Sequence, residues 1–179
     1  MNGVNVEIKA RCHDVKSIRA ILRKKRARFE GTDHQVDTYF KVASGRLKLR
    51  CGDIENSLIF YNRPDRAGPR KSRVSLCRLK PSPELHDVLA KALGVLAVVR
   101  KRREIYFIDN VKFHIDEVED LGCFVEVEAS DASGRIKEEV LTAQARQYVE
   151  LFGITDGDLV ACSYSDMIVQ LKTGPASSR

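Results

Sequence analysis

Alternation of apolar and polar residues dominates the chain, beginning near its amino terminus. Val4, Val6, Ile8 and Ala10 are apolar and are separated by polar or charged residues. A period of two is typical of a strand with two different faces. Similar runs, bounded by Gly, Pro, Asn and Asp, predict further strands. In all, the pattern predicts eight strands, over residues 4–11, 35–42, 46–51, 56–63, 70–80, 95–108, 110–119 and 122–130.

Helical spacing of apolar residues replaces this alternation in four places. Apolar residues recur at helical spacing from Val15 to Leu22, directly after Asp14, a residue type that caps helix N-termini. We therefore expect a first helix from Asp14 to about Phe29, with Gly31 following its end. A second helix is predicted to open at Pro81–Pro83 and to end at Gly94, and the other two cover about residues 135–152 and 164–171.

Short joins connect most of the predicted strands, and such joins favour hairpins. Eight hairpin-connected strands with peripheral helices predict an α+β fold built on an eight-stranded antiparallel closed β-barrel. The length of 179 residues is typical of one domain. We expect that domain to cover residues 1–172 and to be followed by a flexible tail at 173–179.

Composition excludes several classes of protein. With 43% hydrophobic and 31% charged residues, the chain can bury a core and is not expected to be disordered. No run of about 18 apolar residues is present, so no membrane span is expected. The first residues carry no secretory signal pattern, which predicts a cytoplasmic protein. Five dispersed cysteines without a CxxC pair predict reduced thiols and not a zinc site.

The positions of the charges matter more than the net charge of +6, which merely permits an anionic ligand. Residues two apart on a strand point to the same face. Charged residues occupy such positions on strand after strand. The pairs are Glu7 with Lys9, Lys48 with Arg50, Lys101 with Arg103, His114 with Asp116, and Glu126 with Glu128.

If these faces line one cavity, its lysines and arginines would bind several phosphates. Its carboxylates would hold a hard divalent cation through oxygen ligands. Magnesium prefers one or two carboxylates together with phosphate oxygens and waters, and the paired charges meet that preference.

Several segments that carry these charges resemble, in the same order, the motifs of one family. The chain is similar to the CYTH superfamily, also called triphosphate tunnel metalloenzymes, and most similar to its class IV adenylyl cyclase-like branch. The resemblance covers about residues 3 to 171. It rests on Asn5–Lys9, Asp37–Phe40, Gly45–Arg50, Arg100–Tyr106, His114–Glu128 and Ser163–Asp166.

The resemblance implies a tunnel that binds triphosphate compounds with Mg²⁺ or Mn²⁺. Activities in the family include hydrolysis of inorganic or thiamine triphosphate, removal of RNA 5′-triphosphates and formation of cyclic AMP. Carried over by position, the metal-binding residues are Glu7, Asp116, Glu126 and Glu128. The substrate-binding residues are Lys9, Lys48, Arg50, Arg63, Arg73, Lys101 and Arg103.

One position departs from the family signature. The first glutamate of the ExExK motif is Asn5 in this chain, which brings an amide oxygen but no charge. This change puts the occupancy of a second metal site in question and leaves open a protein of reduced activity. Glu7 and Lys9 are the predicted catalytic residues; Lys9 is either a base, if basic neighbours lower its pKa, or a phosphate clamp.

The leading hypothesis is metal-dependent hydrolysis of a small triphosphate such as inorganic tripolyphosphate, with ATP and thiamine triphosphate as further candidates. One alternative is an adenylyl cyclase that forms cyclic AMP from ATP, although no motif indicates adenine recognition. An alternative of another class is a non-catalytic polyphosphate or nucleotide binder. Neither a nucleic-acid nor a membrane partner is expected, and a homodimer is left open.

Overall fold

Helices separate groups of consecutive strands along the part of the chain that the computed structural model describes, which is residues 4–62, 67–71, 73–80, 82–131 and 135–173. The strands are β1 Val4–Arg11, β2 Arg28–Phe40, β3 Arg46–Cys51, β4 Ser57–Asn62, β5 Arg70–Lys71, β6 Arg73–Arg78, β7 Val95–Ile108, β8 Val111–Val118 and β9 Gly122–Asp131. The α-helices are α1 Val15–Lys24, α2 Pro83–Leu93, α3 Glu138–Leu151 and α4 Tyr164–Thr173. The predicted tail lies, from residue 174 onward, outside the described residues.

All strands belong to one antiparallel sheet with the order β5-β1-β9-β8-β7-β2-β3-β4-β6. The α+β class and the antiparallel pairing are confirmed, but the predicted closed barrel is wrong. At one end of the sheet, β5 pairs with β1 through only two residue pairs, Val6 with Lys71 and Glu7 with Arg70. At the other end, β6 pairs with β4 alone. Within the described residues the sheet is therefore strongly curled and not fully closed.

The first helix is shorter than predicted, and the strand after it is longer. Helix α1 ends at Lys24, and β2 begins at Arg28, where residues as far as Phe29 were expected to be helical. Arg26 adopts a φ of 56°, which ends the helix without a glycine. The 14-residue strand β7 then draws residues 28–40 into the sheet. Gly31 is not a helix end; it lies at a bulge in β2.

The remaining boundaries agree closely with the pattern. Ser82 caps α2 by accepting a hydrogen bond from the backbone N–H of Leu85. The predicted strand at 70–80 is present as β5 and β6. All five cysteines are free thiols, as expected. Among the described residues, no helix is both long enough and apolar enough to cross a membrane.

The two faces of the sheet have opposite chemistry, as strand periodicity requires. On β1, Val6, Ile8 and Ala10 are buried in a core shared with α1 and α3. A second apolar cluster, which includes Phe124 and Ile168, packs beneath α4. The face opposite the α1 and α3 core is concave and carries the polar side chains.

Candidate functional site

The concave face encloses a cavity of about 740 Å³. Asn5, Glu7 and Lys9 of β1 line it, because the residues between them are committed to the core. Ser163 and Tyr164, at the start of α4, also line it. Eight of the residues predicted from the sequence lie on this wall: Glu7, Lys9, Lys48, Arg50, Lys101, Arg103, Glu126 and Glu128.

Three predicted residues are not on this wall. Asp116 shares the His114 face of β8, but it is wholly buried against Arg103 and Tyr164 and does not line the cavity. Arg63 lies outside the described residues, and so does the side chain of Arg73. The structure therefore brings together the predicted charges of β1, β3, β7 and β9. It leaves undescribed Arg63, which follows β4, and the side chain of Arg73, the first residue of β6.

A cluster of three cations surrounds Asp37, a buried residue of β2. Both carboxylate oxygens of Asp37 accept hydrogen bonds from Arg50, from Nε at 2.8 Å and from the second terminal nitrogen at 2.9 Å. Lys101 Nζ donates to the same carboxylate at 2.7 Å, and Lys48 Nζ donates at 3.0 Å. Burial alone would raise the pKa of Asp37, but Arg50, Lys101 and Lys48 hold it well below its ordinary value.

The cluster contains more positive charge than Asp37 can balance. Burial, together with the nearby Arg50 guanidinium, lowers the pKa of Lys48 to about 7. Burial lowers the pKa of Lys101 to about 8, although Asp37 opposes the shift. An anion entering the cavity would favour the charged form of both lysines. This corner of the cavity is therefore suited to binding a multiply charged anion.

Arg103 is positioned by the buried carboxylate of Asp116. Its Nε donates to Asp116 Oδ1 at 2.6 Å, and a terminal nitrogen donates to Glu126 Oε2 at 2.8 Å. Tyr164 donates its hydroxyl to Asp116 Oδ2 at 2.9 Å. Asp116 is itself fixed by Tyr164, and its hydrogen bonds with Arg103 orient that side chain toward the cavity.

The carboxylates at the β1–β9 seam have different surroundings. Glu126 lies 3.2 Å from Lys9 Nζ and also contacts Arg103. Burial opposes ionisation of Glu126, but Arg103 and Lys9 keep its pKa well below the ordinary value. Glu128 faces Glu7 directly across the two strands. Burial raises the pKa of Glu128, Lys112 opposes the shift, and Glu7 adds to it.

The side-chain oxygens at the β1–β9 seam, where these two strands pair, are of the kind that a divalent cation prefers. The side-chain oxygen of Asn5 is buried and has no hydrogen-bond partner, while its amide donates to Glu128 Oε1 at 3.0 Å. Glu7, Glu128 and Asn5 thus offer oxygen donors on two paired strands. No preformed group of three His, Cys, Asp or Glu ligands occurs among the described residues. Phosphate oxygens would have to complete such a site, which is how magnesium is usually bound.

His114 is a cavity residue that the sequence did not single out as a site residue. Its Nδ1 lies 3.1 Å from Glu126 Oε2, and its Nε2 is buried without a partner. Burial, with Arg103 and Lys112 nearby, lowers the pKa of His114 to about 4, so the ring is neutral near pH 7. Because a carboxylate only accepts, Nδ1 carries the proton and Nε2 presents a lone pair.

Lys112 and Glu55 were also missed. Lys112 shares the His114 face of β8, so strand periodicity could have indicated it. Glu55 lies in the loop between β3 and β4, where periodicity carries no signal. Glu55 accepts hydrogen bonds from Arg50 at 2.7 Å and from Lys112 at 2.6 Å, and it thereby links two walls of the cavity.

Comparison with solved structures supports the fold. A protein of Pyrococcus horikoshii superposes with a TM-score of 0.80 at 21% identity, over 92% of this chain and 99% of that one. A Hippeastrum protein, named a "putative adenylyl cyclase" with a dominant triphosphatase activity, superposes with a TM-score of 0.63 at 16% identity. That match covers 98% of this chain and all of the Hippeastrum chain.

Comparison of sequences identifies the family. A Methanocaldococcus jannaschii protein named "putative adenylate cyclase" is 27% identical in an alignment that covers 92% of this chain and 98% of that protein. The family model of the CYTH domain matches residues 4–164. This match covers most of the chain and confirms the resemblance carried by the charged strand motifs. The chain therefore belongs to the CYTH family.

Proposed function

We propose that this protein binds a linear triphosphate in the cavity together with Mg²⁺ or Mn²⁺ and hydrolyses it. The observation that carries the proposal is the surplus of buried cations around Asp37. These cations line the same cavity as a carboxylate seam with an unpartnered amide oxygen. A chain of phosphates is the ligand class that needs both features at once.

Each group of residues then has a separate task. Arg50, Lys48 and Lys101 bind non-bridging phosphate oxygens, and Arg103 stabilises the charge that develops during cleavage. Arg103 is held for this task by Asp116. Lys9 lies 3.7 Å from the centre of the Tyr164 ring and beside Glu126, an environment that favours a cationic clamp.

The divalent cation would be held by Glu7, Glu128 and the amide oxygen of Asn5, with Glu126 adjacent to them. When bound, it supplies charge neutralisation and polarises a phosphoryl oxygen. His114 Nε2 offers a hydrogen-bond acceptor on the same wall, able to orient a water molecule. A role of Lys9 as the base stays a prediction.

Adenylyl cyclisation at the same site is the second candidate, and the observation that favours it is the name of the M. jannaschii relative. The direct test measures phosphate release from tripolyphosphate, ATP and thiamine triphosphate, with and without Mg²⁺ or Mn²⁺, and measures cyclic AMP in parallel. Metal-dependent phosphate release supports hydrolysis. If ATP gives mainly cyclic AMP and pyrophosphate, the protein is an adenylyl cyclase and the hydrolysis proposal is wrong. If triphosphates bind without turnover, the protein is a non-catalytic binder. A cytoplasmic location stays a prediction from the sequence, and a homodimer stays open.

Affinity for tripolyphosphate should fall as the pH rises from about 7 to 9. In the free protein Lys48 and Lys101 lose protons across this range, because their pKa values are about 7 and about 8. The bound polyanion raises both pKa values, so binding takes up protons. Calorimetry in buffers of different ionisation enthalpy measures that uptake. Lys48→Met should reduce both the uptake and the affinity, the latter about tenfold.

The control is Lys91→Met, which removes an exposed lysine of α2 that does not line the cavity. It should keep the parent's proton uptake. A pH-independent affinity in the parent would contradict the assignment of these lysines to the anion site.

Asn5→Glu should make the protein more dependent on divalent cations. The new carboxylate replaces the amide that donates to Glu128 and adds repulsion with Glu7 and Glu128, which a bound cation relieves. We expect lower thermal stability without metal and a larger increase with Mg²⁺ or Mn²⁺ than in the parent. Asn5→Gln, which adds the same length without charge, is the control. Superimposed metal titrations of parent and Asn5→Glu would show that residue 5 does not face the cation.

A further inference from the structure

Glu55 is an anion of the protein itself that occupies part of the cavity. It lies in the loop between β3 and β4, and it lines the cavity together with Arg50 and Lys112. Its Oε2 accepts hydrogen bonds from Arg50 at 2.7 Å and from Gln35 Nε2 at 3.1 Å. Its Oε1 accepts one from Lys112 at 2.6 Å. The Glu55 carboxylate therefore makes the contacts with two cavity cations that a phosphate group would make.

Glu55 differs in exposure from the other counter-ions of the cavity arginines. Asp37 and Asp116 also pair with arginines of the cavity, but their side chains are wholly buried. The side chain of Glu55 is 26% exposed. A ligand cannot displace a carboxylate that lies inside the packed sheet, whereas it can displace one at the surface of the cavity. Glu55 is thus the counter-ion that an incoming anion would meet.

The loop that carries Glu55 is anchored by Asp33, a wholly buried residue of β2. Asp33 accepts hydrogen bonds from the backbone N–H groups of Ile54 at 3.0 Å and of Glu55 at 2.9 Å. Gly52 lies so close to Asp33 that an added Cβ would be 2.6 Å from its Oδ1, so this approach requires glycine. None of these contacts involves the Glu55 carboxylate. Its displacement therefore needs the rotation of one side chain and leaves the loop in place.

Charge decides which of the two anions holds the cations. Burial would raise the pKa of Glu55, but Lys112 and Arg50 keep it well below its ordinary value, so the carboxylate is charged at neutral pH. It brings a single negative charge to the two cations, whereas a triphosphate brings several. A triphosphate can therefore replace the Glu55 contacts, but part of its binding free energy is used to break them.

We propose that Glu55 is an autoinhibitory counter-anion of the cavity, which a triphosphate must displace from Arg50 and Lys112 in order to bind. The inference rests on the proposed function and adds a regulation of the same site. Displacement lowers the affinity for every anion that uses these two cations. Because Glu55 rebinds the cations when the anion leaves, it also favours release of the cleaved phosphates.

Glu55→Gln should bind tripolyphosphate about tenfold more tightly than the parent, because a neutral amide holds Arg50 and Lys112 less strongly than a carboxylate does. Dissociation constants are measured by calorimetry with excess EDTA, so that no metal-dependent turnover occurs. Asp53→Asn is the matched control. It removes a charge from the same loop, at a side chain that is 64% exposed and does not line the cavity. The control should change the affinity by less than about twofold.

A second variant separates the loss of the contacts from the loss of the charge. Glu55→Asp keeps the negative charge but is one methylene shorter, which draws the carboxylate back from Arg50 and Lys112. If these contacts oppose binding, Glu55→Asp should also tighten tripolyphosphate binding, by about threefold. If the charge of residue 55 acts only through its long-range field, Glu55→Asp should bind as the parent does.

The outcomes separate this inference from the proposed function. If Glu55→Gln binds tripolyphosphate no more tightly than the parent, or if Glu55→Asp binds it as the parent does, displacement of Glu55 is overturned while triphosphate binding stands. If tripolyphosphate binds to neither the parent nor the variants, the proposed function itself fails, and the inference fails with it.

Discussion

Asp37→Asn should destabilise the protein by about 3–5 kcal/mol at neutral pH, the usual cost of removing one member of a buried ion pair. Asp37 is wholly buried and accepts four hydrogen bonds from Arg50, Lys48 and Lys101. The amide keeps the shape of the side chain but not its charge, so Lys48 and Lys101 lose the carboxylate that they contact, while Arg50 retains its contact with Glu55. Chemical denaturation of parent and variant measures the difference.

The same variant should respond more strongly to anions than the parent does. Because a bound polyanion replaces the missing carboxylate charge, tripolyphosphate should raise the unfolding temperature of Asp37→Asn more than that of the parent. Adding Lys101→Met should recover part of the lost stability, because it removes one of the uncompensated cations. Asp53→Asn, at an exposed carboxylate beside His34, is the control and should leave stability near that of the parent. An Asp37→Asn midpoint equal to the parent's would contradict the central role of Asp37.

Much of the site could be predicted because strand periodicity fixes which side chains share a face. Glu7 and Lys9 point into the cavity because Val6 and Ile8 are committed to the core. The same reasoning applied to β3, β7 and β9. Phosphate and metal binding were predicted from the kinds of charge that these faces carry, and the family match is consistent with that prediction.

The unpredicted features depend on contacts between distant residues. Asp37 belongs to a motif in the sequence, but its role as counter-ion follows only when β3 and β7 flank β2. Glu55 enters the cavity from a loop. The unpartnered Nε2 of His114 is a property of its surroundings, which no local pattern encodes.

Two errors in the predicted fold have the same origin. Residues 25–29 lack a glycine or proline that would end a helix, so local propensity extended α1. Pairing of β2 with β7 overrode that propensity. Closure of a barrel depends on how far the last strands pair with the first, and local patterns in the sequence do not indicate such long-range pairing.

Glu128→Gln should separate metal binding from stability. The substitution removes the like-charge repulsion between Glu128 and Glu7, which face each other across β1 and β9. Burial and Glu7 raise the pKa of Glu128, and a carboxyl with a raised pKa destabilises the folded state at pH values above it. Without metal the variant should therefore be as stable as the parent, or more stable.

In contrast to its unchanged or higher stability without metal, Glu128→Gln should gain much less stability than the parent when metal is added. With a ligand charge lost, the increase in unfolding temperature caused by Mg²⁺ or Mn²⁺ should largely disappear, and metal-dependent turnover should fall at least about a hundredfold. Glu126→Gln should also reduce turnover, but it should lower stability without metal, because Glu126 balances Lys9 and Arg103. The same Glu-to-Gln substitution should therefore lower metal-free stability at residue 126 but not at residue 128.

Glu117→Gln provides the matched control, since Glu117 lies on β8 with an exposed side chain that does not line the cavity. It should keep the parent's metal titration and turnover. Thermal melts over a series of metal concentrations, combined with phosphate-release assays, measure all three variants together. If Glu128→Gln retains both the metal-induced stabilisation and the turnover of the parent, the cation does not bind at the β1–β9 seam. The paired Glu7 and Glu128 would then be only a source of electrostatic repulsion in the fold.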